Sequence, residues 1–169
     1  MINFVTPLLT ILGSGLVVAI VTHIMSSAKE EKEFLRKKLE LVYIDGQKFQ
    51  DLIITIATAY LNYTRGAATS GETIGELAKH ADAMPDLCNE LTMLCNVYFP
   101  NLVPSLNAIL DQRNKIGLTG ARSLLKDQSG DDEIHQELSD DFRILVETGE
   151  KFNKEVFAEA QRINRIKWF

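Results

Sequence analysis

The sequence has few of the residues that build active sites or disulfide frameworks. Its 169 residues include two cysteines, three histidines and one tryptophan. Cys88 and Cys95 lie about two turns apart along one predicted helix, which is too far for a disulfide, so we expect reduced thiols. There is no Gly-rich phosphate loop, no nucleophile elbow and no set of metal ligands at a known spacing. We therefore expect no enzyme, no metal site and no cofactor.

Basic charge is also scarce. The chain has 18 Lys and Arg against 23 Asp and Glu, a formal net charge of −5. This mild acidic excess gives no general case for binding duplex nucleic acid. An acidic segment, Asp127-x-Ser129-x-Asp131, is only a fragment of a calcium loop, because it lacks the following Gly and the distant Glu. Internal repeats, low-complexity tracts and strand-like alternation are absent as well, which favours an all-α fold.

One stretch, Phe4 to Met25, lacks Lys, Arg, Asp and Glu altogether. As a helix it would reach about 33 Å, enough to cross the roughly 30 Å hydrocarbon core of a bilayer. The alternative is a cleavable signal peptide ending at the small residues 26–28, but the sequence has no basic n-region and the stretch is longer than usual. We therefore predict a transmembrane anchor over residues 1–27 and a helical domain over residues 28–169.

Charged residues flanking the stretch predict its orientation. Basic residues crowd its C-terminal side, and none precedes it. The positive-inside rule then places the C-terminal domain in the cytoplasm and the N-terminus outside a single-pass inner-membrane protein. Within the stretch, Gly15 and Ala19 form a small-xxx-small pair that can pack transmembrane helices together. His23 is expected at the membrane interface.

Apolar residues after the anchor recur at the heptad spacing of packed helices. The first such seam continues from the anchor without a helix breaker: Leu35, Leu39, Val42, Gly46, Phe49, Ile53, Ile56, Tyr60 and Tyr63. It predicts one helix from about Asn3 to about Arg65, with Gly66 at its C-terminal cap. Glycines at two seam positions, Gly46 and Gly149, are either tolerated or make room for a close helix crossing.

Three further helices are predicted. Thr69 and Glu72 resemble a capping box ahead of a helix from Ser70, whose seam is Ile74, Leu77, Ala81, Met84, Cys88, Leu91, Cys95 and Tyr98. Pro85 should kink this helix rather than split it, because the seam stays in phase. A third helix runs from about Leu102 and is weakened by Gly117 and Gly120. A fourth follows the 127–132 loop, with Ser129 or a following Asp as its cap.

Short connections between these helices predict an up-down four-helix bundle with coiled-coil-like seams, whose last helix returns to the membrane. This topology brings basic residues of the first and last helices together: Lys29, Lys32, Arg36, Lys37, Lys38, Arg162, Arg165 and Lys167. We call these residues the basic cluster. Trp168 and Phe169 would lie beside it at the membrane interface. The cluster can set the membrane topology and contact lipid headgroups, or it can bind a phosphorylated ligand such as a nucleotide.

The layout of one span leading into a charged helix (residues 29–39) resembles small prokaryotic or phage single-span membrane-anchored helical proteins. These include the membrane effectors of antiviral defence that bind cyclic oligoadenylate in type III CRISPR systems. The resemblance implies an oligomeric cytosolic domain that binds a nucleotide messenger and acts at the membrane. It rests on layout, so it transfers no site residue.

Two functions stay open. The first is a non-enzymatic, homo-oligomeric sensor or effector that is anchored in the lipid bilayer and binds a ligand. The alternative is a membrane-anchored helical scaffold that binds a protein partner. Apolar seam positions left exposed after folding would favour the scaffold.

Overall fold

The computed structural model describes the backbone of residues 5–165 and the side chains of residues 26–165. This part of the chain is all-α and contains no strand. Its elements are α1 (Val5–Thr64), α2 (Ser70–His80), α3 (Ala83–Tyr98), a 3₁₀ turn (Pro100–Leu102), α4 (Val103–Leu125) and α5 (Asp132–Arg165). The predicted all-α class is confirmed, and so is the long first helix that runs without a break out of the apolar stretch.

The C-terminus of α1 is closed by the predicted glycine. Gly66 adopts a left-handed φ of 75°, which a residue without Cβ adopts freely. Its N–H donates to the carbonyl of Tyr63 at 2.9 Å, and the N–H of Ala67 donates to the carbonyl of Asn62 at 2.8 Å. This pair of bonds is a Schellman motif, which satisfies carbonyls that the last helical turn leaves without partners.

The second predicted helix is divided in two, so the expected kink at Pro85 is wrong. α2 begins with the predicted capping box, in which Thr69 and Glu72 exchange side-chain and backbone hydrogen bonds. It ends at His80, and α3 begins at Ala83, with two residues between the helices. Pro85 has no N–H to donate to the carbonyl of Ala81, four residues back, and its ring clashes with that carbonyl in a continuous helix. The break therefore falls at the residue whose hydrogen bond the proline removes.

The last two helices follow the predicted pattern. α4 stays continuous through both of its glycines and ends at Leu125. α5 is capped by Asp131, whose Oδ1 accepts hydrogen bonds from the N–H groups of Glu133 and Ile134, both at 3.1 Å. The sequence allows Ser129 or a following aspartate as the cap, and in the structure Asp131 is the cap.

Contacts at the two ends of the bundle show that α1 and α5 run antiparallel. Near the start of the described side chains, Arg36 on α1 donates through Nε to Oδ1 of Asn164 on α5 at 3.0 Å. At the opposite end of the bundle, Oγ1 of Thr64 lies 3.0 Å from Nδ1 of His135. The chain thus returns to the level of the first basic residues, as predicted. α2 and α3 together take the position of the second helix in the bundle.

Glycines at the seams allow close helix crossings. A Cβ atom at Gly46 would lie 2.9 Å from Cε1 of Phe152, and one at Gly149 would lie 2.5 Å from Oε1 of Gln50. Both pairs join α1 to α5, and Phe152 is fully buried in the core. The interpretation that these glycines make room for bulky neighbours is confirmed.

No helix in the described part of the chain is long and apolar enough to cross a membrane. The stretch from Phe4 to Met25, which led to the predicted anchor, lies outside the residues whose side chains are described. The same holds for Gly15, Ala19 and His23. The transmembrane part of the fold prediction therefore has no support from the structure and stays a prediction from the sequence.

Candidate functional site

The basic cluster is partly engaged in bonds within the bundle. Lys32 donates through Nζ to the backbone carbonyl of Asn164 at 2.9 Å, and the guanidinium of Arg36 donates to the side-chain oxygen of the same asparagine. Arg162 makes a two-oxygen contact with Glu159, whose side chain is only 5% exposed. This contact raises the pKa of Arg162, through the hydrogen bond first and the opposite charge second. Lys32 and Arg36 therefore join α1 to α5, whereas Arg162 is engaged within α5.

Other members of the basic cluster face different directions. The ammonium group of Lys38 lies 5.6 Å from the ring centroids of both Phe34 and Tyr98, within cation–π range. Lys29, Lys37 and Arg165 are exposed. The structure brings Lys32, Arg36 and the C-terminal end of α5 together, while Lys38 turns toward α3. Lys167, Trp168 and Phe169 lie outside the described residues.

A different site, which the sequence did not predict, lies in the distal half of the bundle. An open groove of about 860 Å³ runs between the α2–α3 break and α4. Its floor is formed by Ile56 and Tyr60 of α1, and its walls include Leu77 and Met84 on one side and Leu118 on the other. Clefts of this size, apolar and set between helices, are typical binding sites in helical bundles.

The groove exists because neither wall supplies a side chain to fill it. Gly117 of α4 lines it, and a Cβ atom built at this position would meet nothing within 4 Å. On the opposite wall, Ala81 and Pro85 lie at or beside the α2–α3 break, and their short side chains do not fill the space. One turn further along α4 the packing is tight again, because Gly120 lies against the ring of the buried Tyr60. Burial also raises the pKa of the Tyr60 hydroxyl.

The predicted seam of α2 and α3 is buried along only half its length. Leu91 and Cys95 are fully buried in the core. By contrast, Ile74 is 56% exposed, and the seam residues between it and Leu91 are only partly covered or exposed. From Leu77 to Cys88 this seam therefore has the heptad pattern of a packed helix but lines an open groove.

The groove carries a local positive charge in an acidic protein. Arg113 and His80 line it, and no Asp or Glu of the described part is among its lining residues. Nε and Nη2 of Arg113 donate to Oδ1 of the adjacent Asn114 at 3.2 and 2.7 Å, which holds the guanidinium at the groove edge. His80 lies 3.5 Å from a carboxylate oxygen of Glu76, which is outside the lining. Within the described part of the chain, Arg113 has no carboxylate partner. Its guanidinium is therefore available to a negatively charged acceptor that enters the groove.

The two thiols differ in access. Cys88 lines the groove and is partly exposed, whereas Cys95 is fully buried. Burial raises the pKa of the Cys95 thiol to about 11. A thiol that stays protonated at neutral pH is a poor nucleophile, so only Cys88 is placed to report on the groove.

Comparisons with protein-family models, curated proteins and solved structures give no match to this chain. The resemblance in layout to membrane effectors of antiviral defence therefore stays a prediction. Function has to be argued from the site itself. Within the described side chains, no group of three or more His, Cys, Asp or Glu residues could hold a metal ion.

Sequence reasoning missed the groove for an identifiable reason. Heptad spacing from Ile74 to Tyr98 indicates which residues share a helix face, but not whether another helix covers that face. Two signals were present in the sequence: Pro85 inside the seam and Gly117 in the middle of the next helix. Taken alone, each residue indicates only a local weakening of its own helix. Only the packing of the helices shows that Pro85 and Gly117 line the same groove.

Proposed function

We propose that the protein is a non-enzymatic, membrane-anchored helical scaffold that binds a protein partner through the groove between the α2–α3 break and α4. The observation that supports this function is the half-exposed seam of α2 and α3. Leu118 on the α4 wall is 74% exposed, and Leu77 and Met84 on the opposite wall are only partly buried. Apolar residues that flank a groove on both sides mark interaction surfaces more often than isolated exposed residues do.

The membrane part of the proposal rests on the sequence. The apolar stretch from Phe4 to Met25 supplies the anchor, and the basic flank places the helical domain in the cytoplasm, as a single-pass inner-membrane protein with its N-terminus outside. Exposed Lys29, Lys37 and Arg165 would then face anionic headgroups. The groove lies near the far end of α1. Ile56 is 28 residues beyond Ala28, which corresponds to about 42 Å of helix. The groove would therefore receive a partner from the cytoplasm rather than a lipid.

Photo-crosslinking in cells tests the scaffold proposal. A photo-reactive amino acid replaces Leu118 at the groove, and in a matched variant it replaces Val146, an exposed apolar residue of α5. Both residues are exposed, so neither replacement should unfold the bundle. We expect a discrete higher-mass adduct from position 118 and none from position 146. Equal adduct patterns from the two positions, or none from either, would refute binding at the groove.

An oligomeric sensor that binds a phosphorylated ligand at the basic cluster is the second candidate. Lys32 and Arg36 meet the end of α5 there, so one ligand phosphate could reach cations of two helices. The exposed Arg165 is the better residue for its test, because Arg162 is engaged with the buried Glu159. If Arg165→Glu leaves the binding of a cyclic oligonucleotide unchanged, or if the wild type binds none, this candidate fails.

A further inference from the structure

We infer that the groove receives a single amphipathic α-helix of a protein partner, with apolar residues at heptad spacing and a carboxylate placed opposite Arg113. This inference rests on the proposed scaffold function and specifies its partner. The evidence consists of the spacing of the uncovered seam, the small residues on the two walls and the charge of the lining.

The uncovered seam has the residue spacing of a helix contact. Its groove-lining members Leu77, Ala81, Met84 and Cys88 recur at spacings of four, three and four across the α2–α3 break. Seam residues at spacings of three and four are what a second helix packs against, knob into hole. Gly117 and Ala81 lie on opposite walls of the groove, and small residues there leave a hole wide enough for a large apolar side chain.

Other modes of peptide binding fit the groove less well. An extended peptide adds to a sheet edge, and the described part of the chain has no strand that could offer one. Proline-rich peptides dock between exposed aromatic rings. Tyr60 is the single aromatic residue in the described groove lining, and it is buried at the floor. An amphipathic helix needs only the apolar groove, which is what the bundle provides.

Charge complementarity selects an acidic partner helix. Arg113 stands at the groove edge, its guanidinium is oriented by Asn114, and no carboxylate is among the described lining residues. A partner Asp or Glu can accept two parallel hydrogen bonds from a guanidinium, which fixes the register of the docked helix. A basic partner residue at the same place would face Arg113, and no carboxylate among the described lining residues would compensate the two charges.

Selection from a peptide library tests the inference on the full chain in detergent micelles. The probe is a displayed library of 16-residue peptides with helical, extended and proline-rich members. The bait is the wild type, the groove-filling variant Gly117→Leu, or the control Gly75→Leu. Gly75 also faces open space in a helix but does not line the groove. We expect wild type and Gly75→Leu to enrich helical peptides with heptad apolar residues and one fixed Asp or Glu, and Gly117→Leu to enrich none of them.

A charge-reversed bait tests the role of the carboxylate. Arg113→Glu should weaken binding of the enriched acidic peptides by about tenfold or more and shift the selection toward Lys or Arg at the same peptide position. Groove-dependent peptides are those that lose enrichment with Gly117→Leu. If these are extended or proline-rich, or if Arg113→Glu does not change their binding, the helix inference fails and the scaffold proposal stands. If no enrichment depends on the groove, both fail. If the wild type is an oligomer and Gly117→Leu is a monomer by light scattering, the occupant is a second copy and the inference is overturned.

Discussion

Gly120 of α4 packs directly on the ring of Tyr60, so closely that a Cβ atom at position 120 would overlap the ring. One turn earlier on the same helix, Gly117 faces open space. The two glycines are three residues apart and have the same backbone propensity, yet their surroundings are opposite. This contrast separates a glycine required by packing from a glycine that leaves a groove open.

Alanine at these two positions should therefore change stability in opposite directions. Gly117→Ala should stabilise the fold by up to about 1 kcal/mol, because alanine favours the helix and its Cβ meets nothing. Gly120→Ala should destabilise it by about 1–3 kcal/mol, because Tyr60 is buried and must move. Thermal unfolding followed by circular dichroism in detergent measures both, with Gly75→Ala as the control for helix propensity. A rise in Tm for Gly120→Ala would contradict the described packing.

Thiol labelling should separate the two cysteines. In the purified native protein at pH 7.5, a maleimide should modify Cys88 at least tenfold faster than Cys95, because Cys95 is buried and its pKa is raised to about 11. Peptide mass spectrometry assigns the modified residue, and denaturant should abolish the difference. Equal rates in the native protein would show that the groove or the core differs from this description.

The Glu159–Arg162 contact should stabilise the C-terminal end of α5. Arg162→Leu leaves the buried carboxylate of Glu159 without its guanidinium, and we expect a loss of about 1–2 kcal/mol of unfolding free energy. The estimate is at the lower end because the Arg162 side chain is 60% exposed. The double variant Glu159→Gln, Arg162→Leu should recover part of the loss. If the single variant is as stable as the wild type, the contact is not structural.

The cap of α5 offers a local test. Asp131→Ala removes the acceptor for two N–H groups at the helix start and should cost about 1 kcal/mol. Ser129→Ala is the matched control, since Ser129 bonds to the carbonyl of Tyr63 rather than to the α5 N-terminus. Urea unfolding of the two variants compares them directly. A larger loss for Ser129→Ala would contradict the cap.

Local rules predicted the helices well, because heptad spacing and capping residues act within a few residues of the chain. The seam of α1, the Thr69–Glu72 capping box and the left-handed Gly66 are all examples. The antiparallel order of the helices also followed from the short connections. The break before α3 does not follow from the heptad spacing of the seam. That spacing is unaffected by the carbonyl of Ala81, which Pro85 leaves without an N–H donor.

The candidate site was harder to predict because it depends on what is missing between helices. Leu77, Met84 and Cys88 have the pattern of core residues, and only the position of α4 shows that they line an open space. The basic cluster was easier to find in the sequence, but the sequence could not show that Arg162 is engaged by the buried Glu159. Charge and spacing in the sequence indicate candidate site residues. Which side chains these residues contact depends on packing between distant parts of the chain.

The central claim is that a partner occupies the groove. Photo-crosslinking from position 118 in cells that produce Gly117→Leu or Gly75→Leu tests it most directly, because both leucines enter open space and only the first fills the groove. We predict that the partner adduct is lost with Gly117→Leu and retained with Gly75→Leu, at equal protein levels. An adduct of unchanged yield in the Gly117→Leu background would contradict the account.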